Sequence, residues 1–217
     1  PYTRCIPETM RFRLIRFFSA LLLLCPVAAA GQDALDRLIA SSRTGRLEFD
    51  YSFSSGLDTR MTGRGHALVQ GECFFINGNG LEIYCDGKTA ASIDRESKEV
   101  IIESIEGEDC GNYINPASLI TYIDKHFRRK SCIKTNYAGL AVLKYVLEPV
   151  RETGISRISL FVSTDGKKLF GASVSTVDAG STDFNISDFR VLPAGALSDF
   201  VLDCAGLGPS YIITDLR

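Results

Sequence analysis

The sequence predicts a mainly β protein with some helix, in which one large antiparallel sheet has its apolar face covered by an amphipathic helix. Three observations predict it. Strand-like runs recur at the short spacing of a meander, one helical segment interrupts them, and no linker, internal repeat or low-complexity tract divides the chain. The composition agrees with a folded chain. Its 217 residues are 45% hydrophobic and 23% charged, which sets aside disordered, collagen-like and polytopic membrane classes. A formal net charge of −2 lacks the basic excess needed to hold phosphate backbones, so nucleic acid is not an expected partner.

Residues Met10–Ala30 read as a secretory signal peptide. Arg11, Arg13 and Arg16 form its basic start, Phe17 to Val27 is apolar apart from Ser19 and the embedded Pro26, and Ala28, Ala29 and Ala30 supply the small residues of a cleavage site. The apolar run is too short to span a bilayer comfortably, which takes ~20 residues. Cys25 is an alternative, acylated start, disfavoured because Leu24 precedes it and Pro26 follows. Residues 1–30 are therefore read as pre-sequence and cleaved signal, and 31–217 as a single domain. Removing Arg4, Arg11, Arg13, Arg16 and Glu8 takes the net charge from −2 to −5.

A short helix opens the remaining chain over Asp33–Ser42, with Ala34, Leu35, Leu38 and Ile39 at helical spacing and Asp33 placed to cap it. Arg46–Ser54 then alternates without a fault, Leu47, Phe49, Tyr51 and Phe53 against Arg46, Glu48, Asp50 and Ser52. That period means a half-buried strand. Further strands read at Met61–Gln70, Cys73–Asn77, Leu81–Cys85, Thr89–Asp94 and Glu99–Ser104, with turns at Asn77–Gly80, Asp86-Gly87 and Asp94–Lys98. The interruption comes at Asn115-Pro116, a capping residue followed by Pro at the first helical position. From there Leu119, Ile120, Ile123 and Phe127 share one face, Asp124, Lys125, Arg128 and Arg129 face away, and Arg128-Arg129-Lys130 complements the helix C-terminus. Strands resume at Gly139–Pro149, Ser156–Ser163, Leu169–Val177 and Thr182–Val191, with Asp165-Gly166 as a hairpin turn.

Catalytic chemistry is sparse. His66 and His126 are the two histidines, far apart in sequence, with no metalloprotease HExxH pattern, nucleophile elbow or Gly-rich strand-to-helix loop. Neither a metal nor a cofactor is expected. The acidic run Glu103, Glu106, Glu108 and Asp109 lacks the alternate ligand spacing and glycine of a calcium loop and reads as solvated. No cysteine pair forms CxxC. Cys73 and Cys85 are each six residues from Asn79, so a hairpin centred there sets them opposite each other as a candidate disulfide. Cys110 and Cys132 bracket the helix and are a second candidate pair, the alternative being small buried residues. Cys204 is left over.

Specific words resemble a known family. Asp86-Gly87-Lys88-Thr89, then Asp94 and Lys98-Glu99-Val100, resemble the central hairpin of LolA, the periplasmic carrier of outer-membrane lipoproteins. Asn115-Pro116 with Leu119-Ile120 looks like the helix that follows it. Phe200-Val201-Leu202-Asp203, Pro209 and Asp215-Leu216-Arg217 look like a divergent branch of that family. The resemblance implies an unclosed antiparallel β half-barrel with helices packed into its concave side as a lid. It also implies a periplasmic, monomeric, non-enzymatic carrier or chaperone that receives lipoproteins from an inner-membrane ABC-type releasing complex. Their acyl chains would lie in a hydrophobic cavity lined by Phe49, Tyr51, Phe53, Leu143, Tyr145, Leu160, Val162, Phe170 and Val174, beneath Leu119, Ile120, Ile123 and Phe127. The alternative for these residues is a plain packed core.

Two departures stand out. Better-known carriers hold the lid with a basic residue followed by Pro after the second strand, where this chain has Gln70-Gly71-Glu72-Cys73. Their aromatics after the DGKT word are replaced by Ala90, Ala91 and Ser92, and Trp is absent. The competing expectation is a non-enzymatic periplasmic lipid-sensing or envelope-assembly module on the same fold, with a filled core and partner contacts through a sheet edge. A hydrolase would need an acid pair inside the concavity, which the alternation does not place there.

Overall fold

The computed structural model describes residues 27–56, 61–105, 115–178 and 180–217, with side chains from Ala34 onward. Most of the signal-peptide reading, Cys25, Cys110, Glu106, Glu108 and Asp109 lie outside the described residues. Among the described residues the α-helices are α1 (Val27–Thr44) and α2 (Pro116–His126). The first meander runs through β1 (Gly45–Ser55), β2 (Met61–Gln70), β3 (Cys73–Gly78), β4 (Leu81–Cys85), β5 (Thr89–Asp94) and β6 (Glu99–Ser104). The second holds β7 (Phe127–Tyr137), β8 (Leu140–Pro149), β9 (Ile155–Ser163), β10 (Leu169–Thr176) and β11 (Ser181–Pro193), and β12 (Ile212–Asp215) ends the chain.

Local turn chemistry builds each meander. Between β3 and β4, Asn79 (φ 54°) and Gly80 (φ 85°) are both left-handed, the geometry whose twist matches a two-residue hairpin. Pairing of β1 with β11, from Gly45 opposite Pro193 to Ser55 opposite Thr182, fuses the meanders into one unclosed sheet ordered β12-β6-β5-β4-β3-β2-β1-β11-β10-β9-β8-β7. The link from β6 to β7 therefore joins strands ten places apart in the sheet order. α2 lies on that link.

The sheet curls around its helices. α1 touches both β2 and β7, which stand six places apart in the sheet. A flat sheet would hold them about 29 Å apart at ~4.8 Å per strand, so the strands must bend toward one another. The half-barrel with helices on its inner side is the expected fold class.

Strands β2, β4, β5 and β6 have the predicted bounds. Four expectations change. α1 starts at Val27, so Asp33 lies inside the helix rather than at its cap. The second helix stops at His126, and Phe127 opens a strand that the periodicity did not indicate, so Arg128-Arg129-Lys130 do not sit at a helix end. β7 is an edge strand with a register shift between Arg129 and Ser131, and it carries no clean alternation to read. Finally, β12 adds to β6 in parallel, so the sheet is not wholly antiparallel.

Apolar side chains gather in two places. The large cluster lies between the helices and the inner face of β1–β4 and β8–β11. A smaller one, Ala91, Ile93, Val100 and Ile102, is covered by Leu202, Cys204, Leu207 and Tyr211 from the C-terminal segment.

Candidate functional site

The inner face of the curl carries the nominated residues. β1 contributes Leu47, Phe49 and Tyr51 as alternating buried positions, with Phe53 packed at the edge of the cluster. Leu143 and Tyr145 on β8, Leu160 and Val162 on β9 and Val174 on β10 join them. Leu119, Ile120 and Ile123 of α2 close over this face, and Phe127 packs against it from the first position of β7.

Phe170 is a correction. The register of β10 shifts between Leu169 and Gly171, so Leu169 pairs with Val162 and enters the cluster, while Phe170 stays half-buried outside it. Other members were not singled out from sequence as ligand-facing. Phe74 and Ile76 on β3, Phe184 and Ile186 on β11, and Leu35 and Leu38 of α1 all belong to the cluster, and each shows the period of its element.

α2 is inserted more deeply than an amphipathic surface helix. Every residue from Pro116 to Ile123 is buried, polar ones included. Asn115 caps the helix by accepting the Ser118 N–H at 2.8 Å, and the Ser118 hydroxyl in turn accepts the Asn115 N–H at 3.4 Å. The Thr121 hydroxyl donates to Ala117 O at 3.0 Å, so burial costs these groups no partner.

Few ionisable groups reach the inner face, and burial keeps them neutral. Burial, with the nearby Cys132 thiol, pushes the Tyr145 hydroxyl up to about 12, and its oxygen accepts the Leu35 N–H of α1 at 3.3 Å. Burial likewise pushes the Cys85 thiol up to about 11, beside the Tyr122 hydroxyl at 3.8 Å. Tyr51 is raised by burial as well, with its hydroxyl 3.4 Å from Asn77 O. Near neutral pH this surface is uncharged. Among the described residues its lining is apolar.

The helices are tied down at the rim by charged pairs. Arg43 of α1 pairs with Asp124 of α2, Arg129 of β7 with Asp36 of α1, and Lys125 of α2 with Glu72 in the turn between β2 and β3. In that turn the Gly71 N–H also donates to Ser42 O of α1 at 2.6 Å. The turn thus holds both helices, with an acid on the sheet and the base on the helix. This reverses the polarity that the resemblance implies. Exposed pairs of this kind contribute roughly 0–1 kcal/mol each.

Both histidines have structural surroundings. His66 lies on the outer face with Nδ1 2.7 Å from Asp50 Oδ1 and Nε2 3.6 Å from Glu48, which also pairs with Arg190. His126 ends α2 with its ring edge-on to Tyr122. Among the described residues no group of three or more His, Cys, Asp or Glu side chains is placed to hold a metal ion. No helix among them is long and apolar enough to cross a membrane.

The candidate disulfide of β3 and β4 is also corrected. The turn centres between Asn79 and Gly80, so Cys85 stands opposite Phe74 and not Cys73, and neighbouring strand positions point to opposite faces. Cys73, Cys85, Cys132 and Cys204 are free thiols. The proposed partner of Cys132, Cys110, lies outside the described residues.

A cleft of about 530 Å³ opens where β10 and β11 part, between Lys168–Phe170 and Ile186–Arg190.

No family model matches the chain, and no curated protein sequence does. Solved structures do match its shape. An uncharacterized conserved protein from Thermus thermophilus superposes with a TM-score of 0.51 at 10% identity, covering 85% of this chain and 98% of that one. The fold is shared. The LolA superfamily protein NE2245 from Nitrosomonas europaea aligns at TM-score 0.44 and 12% identity over 80% of this chain and 98% of its own. A putative outer membrane lipoprotein-sorting protein domain from Vibrio parahaemolyticus gives 0.45 and 12% over 80% and 97%. At 10% identity the likeness to the Thermus thermophilus protein speaks of architecture alone.

Proposed function

We propose that this chain is a non-enzymatic periplasmic carrier of acylated polypeptides, holding acyl chains on the inner face of the half-barrel when α1 and α2 swing away. In this reading it accepts lipoproteins released by an inner-membrane ABC-type complex and delivers them to the outer membrane. One observation carries it. The helices that fill the concavity are apolar toward the sheet, paired with each other by Arg43–Asp124, and fastened to the sheet by two exposed ion pairs and single hydrogen bonds. Such a cover is complete when empty and separable when an acyl chain competes for the same surface. The driving force is ample, since exposing a chain of about sixteen carbons to water costs roughly 12 kcal/mol.

Native mass spectrometry of the protein purified from its own envelope tests the proposal. Acylated cargo in the wild type that is lost on Ile123→Asp, in a variant still folded by circular dichroism, is the expected result. A clean unliganded mass, with outer-membrane lipoprotein levels unchanged on gene deletion, would sink it. The filled concavity and the position of β7 at the sheet edge favour a second reading, a lipid-sensing or envelope-assembly module that binds a partner strand. That module would purify with a protein partner and no acyl mass.

A further inference from the structure

The large cluster borders the cleft between β10 and β11 through its members Leu169 and Ile186, and the sheet's own irregularities make that cleft. The β10–β11 ladder stops at Gly171 opposite Asn185, although β11 continues to Pro193 along β1. Just beyond that point β10 shifts register between Leu169 and Gly171. β11 carries its own bulge against β1 between Glu48 and Asp50, with Asp188 left-handed at φ 48°. Two bulges on facing strands hold the sheet apart. The gap of about 530 Å³ lies within the range of small-ligand pockets.

Its lining is divided. Leu169 and Ile186 on the floor are members of the large cluster, and Phe189 beside them stacks on Phe49 at 5.7 Å between ring centres. Phe170, the half-buried residue that the bulge turns out of the cluster, forms an apolar wall. Lys168 and Arg190 on the lining are matched by Asp50 and Asp188, so neither sign prevails.

We infer that this cleft is the portal by which a single acyl chain, joined to its carrier through an uncharged ester or amide linkage, enters the half-barrel. The inference rests on the carrier reading and adds where the chain passes. An apolar floor continuous with the core takes the alkyl chain, and a rim of balanced charge suits a neutral linkage better than an ionised head. Phe189 is the gate, because displacing its ring uncovers Phe49 on the inner face.

A palmitoyl monoacylglycerol bearing a diazirine beside the ester linkage, irradiated with the full-length protein, tests this, with palmitate as the charged comparison. Adducts on the Lys168–Phe170 and Ile186–Arg190 peptides are expected, with the neutral probe preferred. Phe170→Asp, at a half-buried position, should weaken binding at least about tenfold. Photo-adducts on the wild-type protein decide the matter if that variant fails to fold. Adducts confined to α2 and β1 peptides, with affinity unchanged in Phe170→Asp, would overturn the portal and leave the carrier standing. An absence of any probe binding, with no acylated cargo on the purified protein, would overturn both.

Discussion

The two apolar clusters lie on different faces of one sheet and are covered in different ways. Over the inner face of β1–β4 and β8–β11 the cover is a pair of helices that run directly into β1 and β7, paired with each other by Arg43–Asp124 and joined to the strands by side-chain packing, by Lys125–Glu72 and Arg129–Asp36 at the rim, and by the Gly71 N–H to Ser42 O bond. Over β5 and β6 it is an irregular segment whose end is bonded backbone to backbone. The Ile212 N–H donates to Lys98 O at 2.9 Å and the Leu216 N–H to Ile102 O at 2.8 Å, with β12 paired along β6 between them. A cover woven into the sheet leaves only when the sheet frays. On the carrier reading proposed above, the helical cover would have to lift while every strand stays paired.

The sharpest way to break this contrast is in the cores. Phe49→Ala, at a fully buried ring stacked on Phe189, should destabilise by about 3–5 kcal/mol, and Ile93→Ala in the small cluster by about 2–4 kcal/mol. Urea titration followed by fluorescence and circular dichroism measures both. Equal and separately melting losses would mean two independent units instead of two faces of one sheet.

Next comes the seat of α1. Gly166 has φ +73°, and a Cβ there would lie 2.3 Å from Ala34 O, while Arg37 Nε donates to Asp165 O at 2.8 Å in the same turn. Gly166→Ala should cost about 1–3 kcal/mol and speed amide exchange in α1 while leaving β12 protected. Faster exchange in both would remove the distinction.

Acid should act on the other side. Glu82 on β4 accepts from Arg95 Nε at 2.6 Å, which holds its carboxyl below the usual glutamate range, and the Tyr84 hydroxyl donates to it at 2.9 Å. Because the folded value is depressed, this contribution is complete above the ordinary glutamate range of about 4.3 and fades as pH falls through the folded value. Thermal melts from pH 6 to 3 should therefore show a flatter acid limb in Arg95→Met than in the wild type. An unchanged limb would remove Glu82 from the account.

The smallest effect is the most telling. Lys125→Glu breaks one exposed pair with Glu72 and should change global stability by less than about 1 kcal/mol, yet raise amide exchange in α2. If α2 exchanges no faster, the rim pairs do not hold the cover.

Local pattern and long-range assembly contributed separately to what can be read from this chain. The alternation of β1 and the bounds of β2, β4, β5 and β6 are written in a period of two flanked by turn residues, because each strand needs only its own apolar face and its own turn. The capped start of α2 at Asn115-Pro116 is legible for the same reason. The inner-face residues follow from that alternation wherever the strand runs true, and Phe170 escapes where β10 does not.

Tertiary structure decided the rest. β7 and β12 are strands because a neighbour offers them a ladder, and half-exposed or exposed positions leave little apolar pattern in their sequence. The burial of α2 all round follows from its crossing a sheet that curls, which no window of residues encodes. Whether Cys73 could meet Cys85 depended on one residue of register, and the turn set it. Sequence by itself determined the elements and their apolar faces, since those are local choices of backbone and side chain. Only the three-dimensional pairing decided which face the helices close and where the sheet parts.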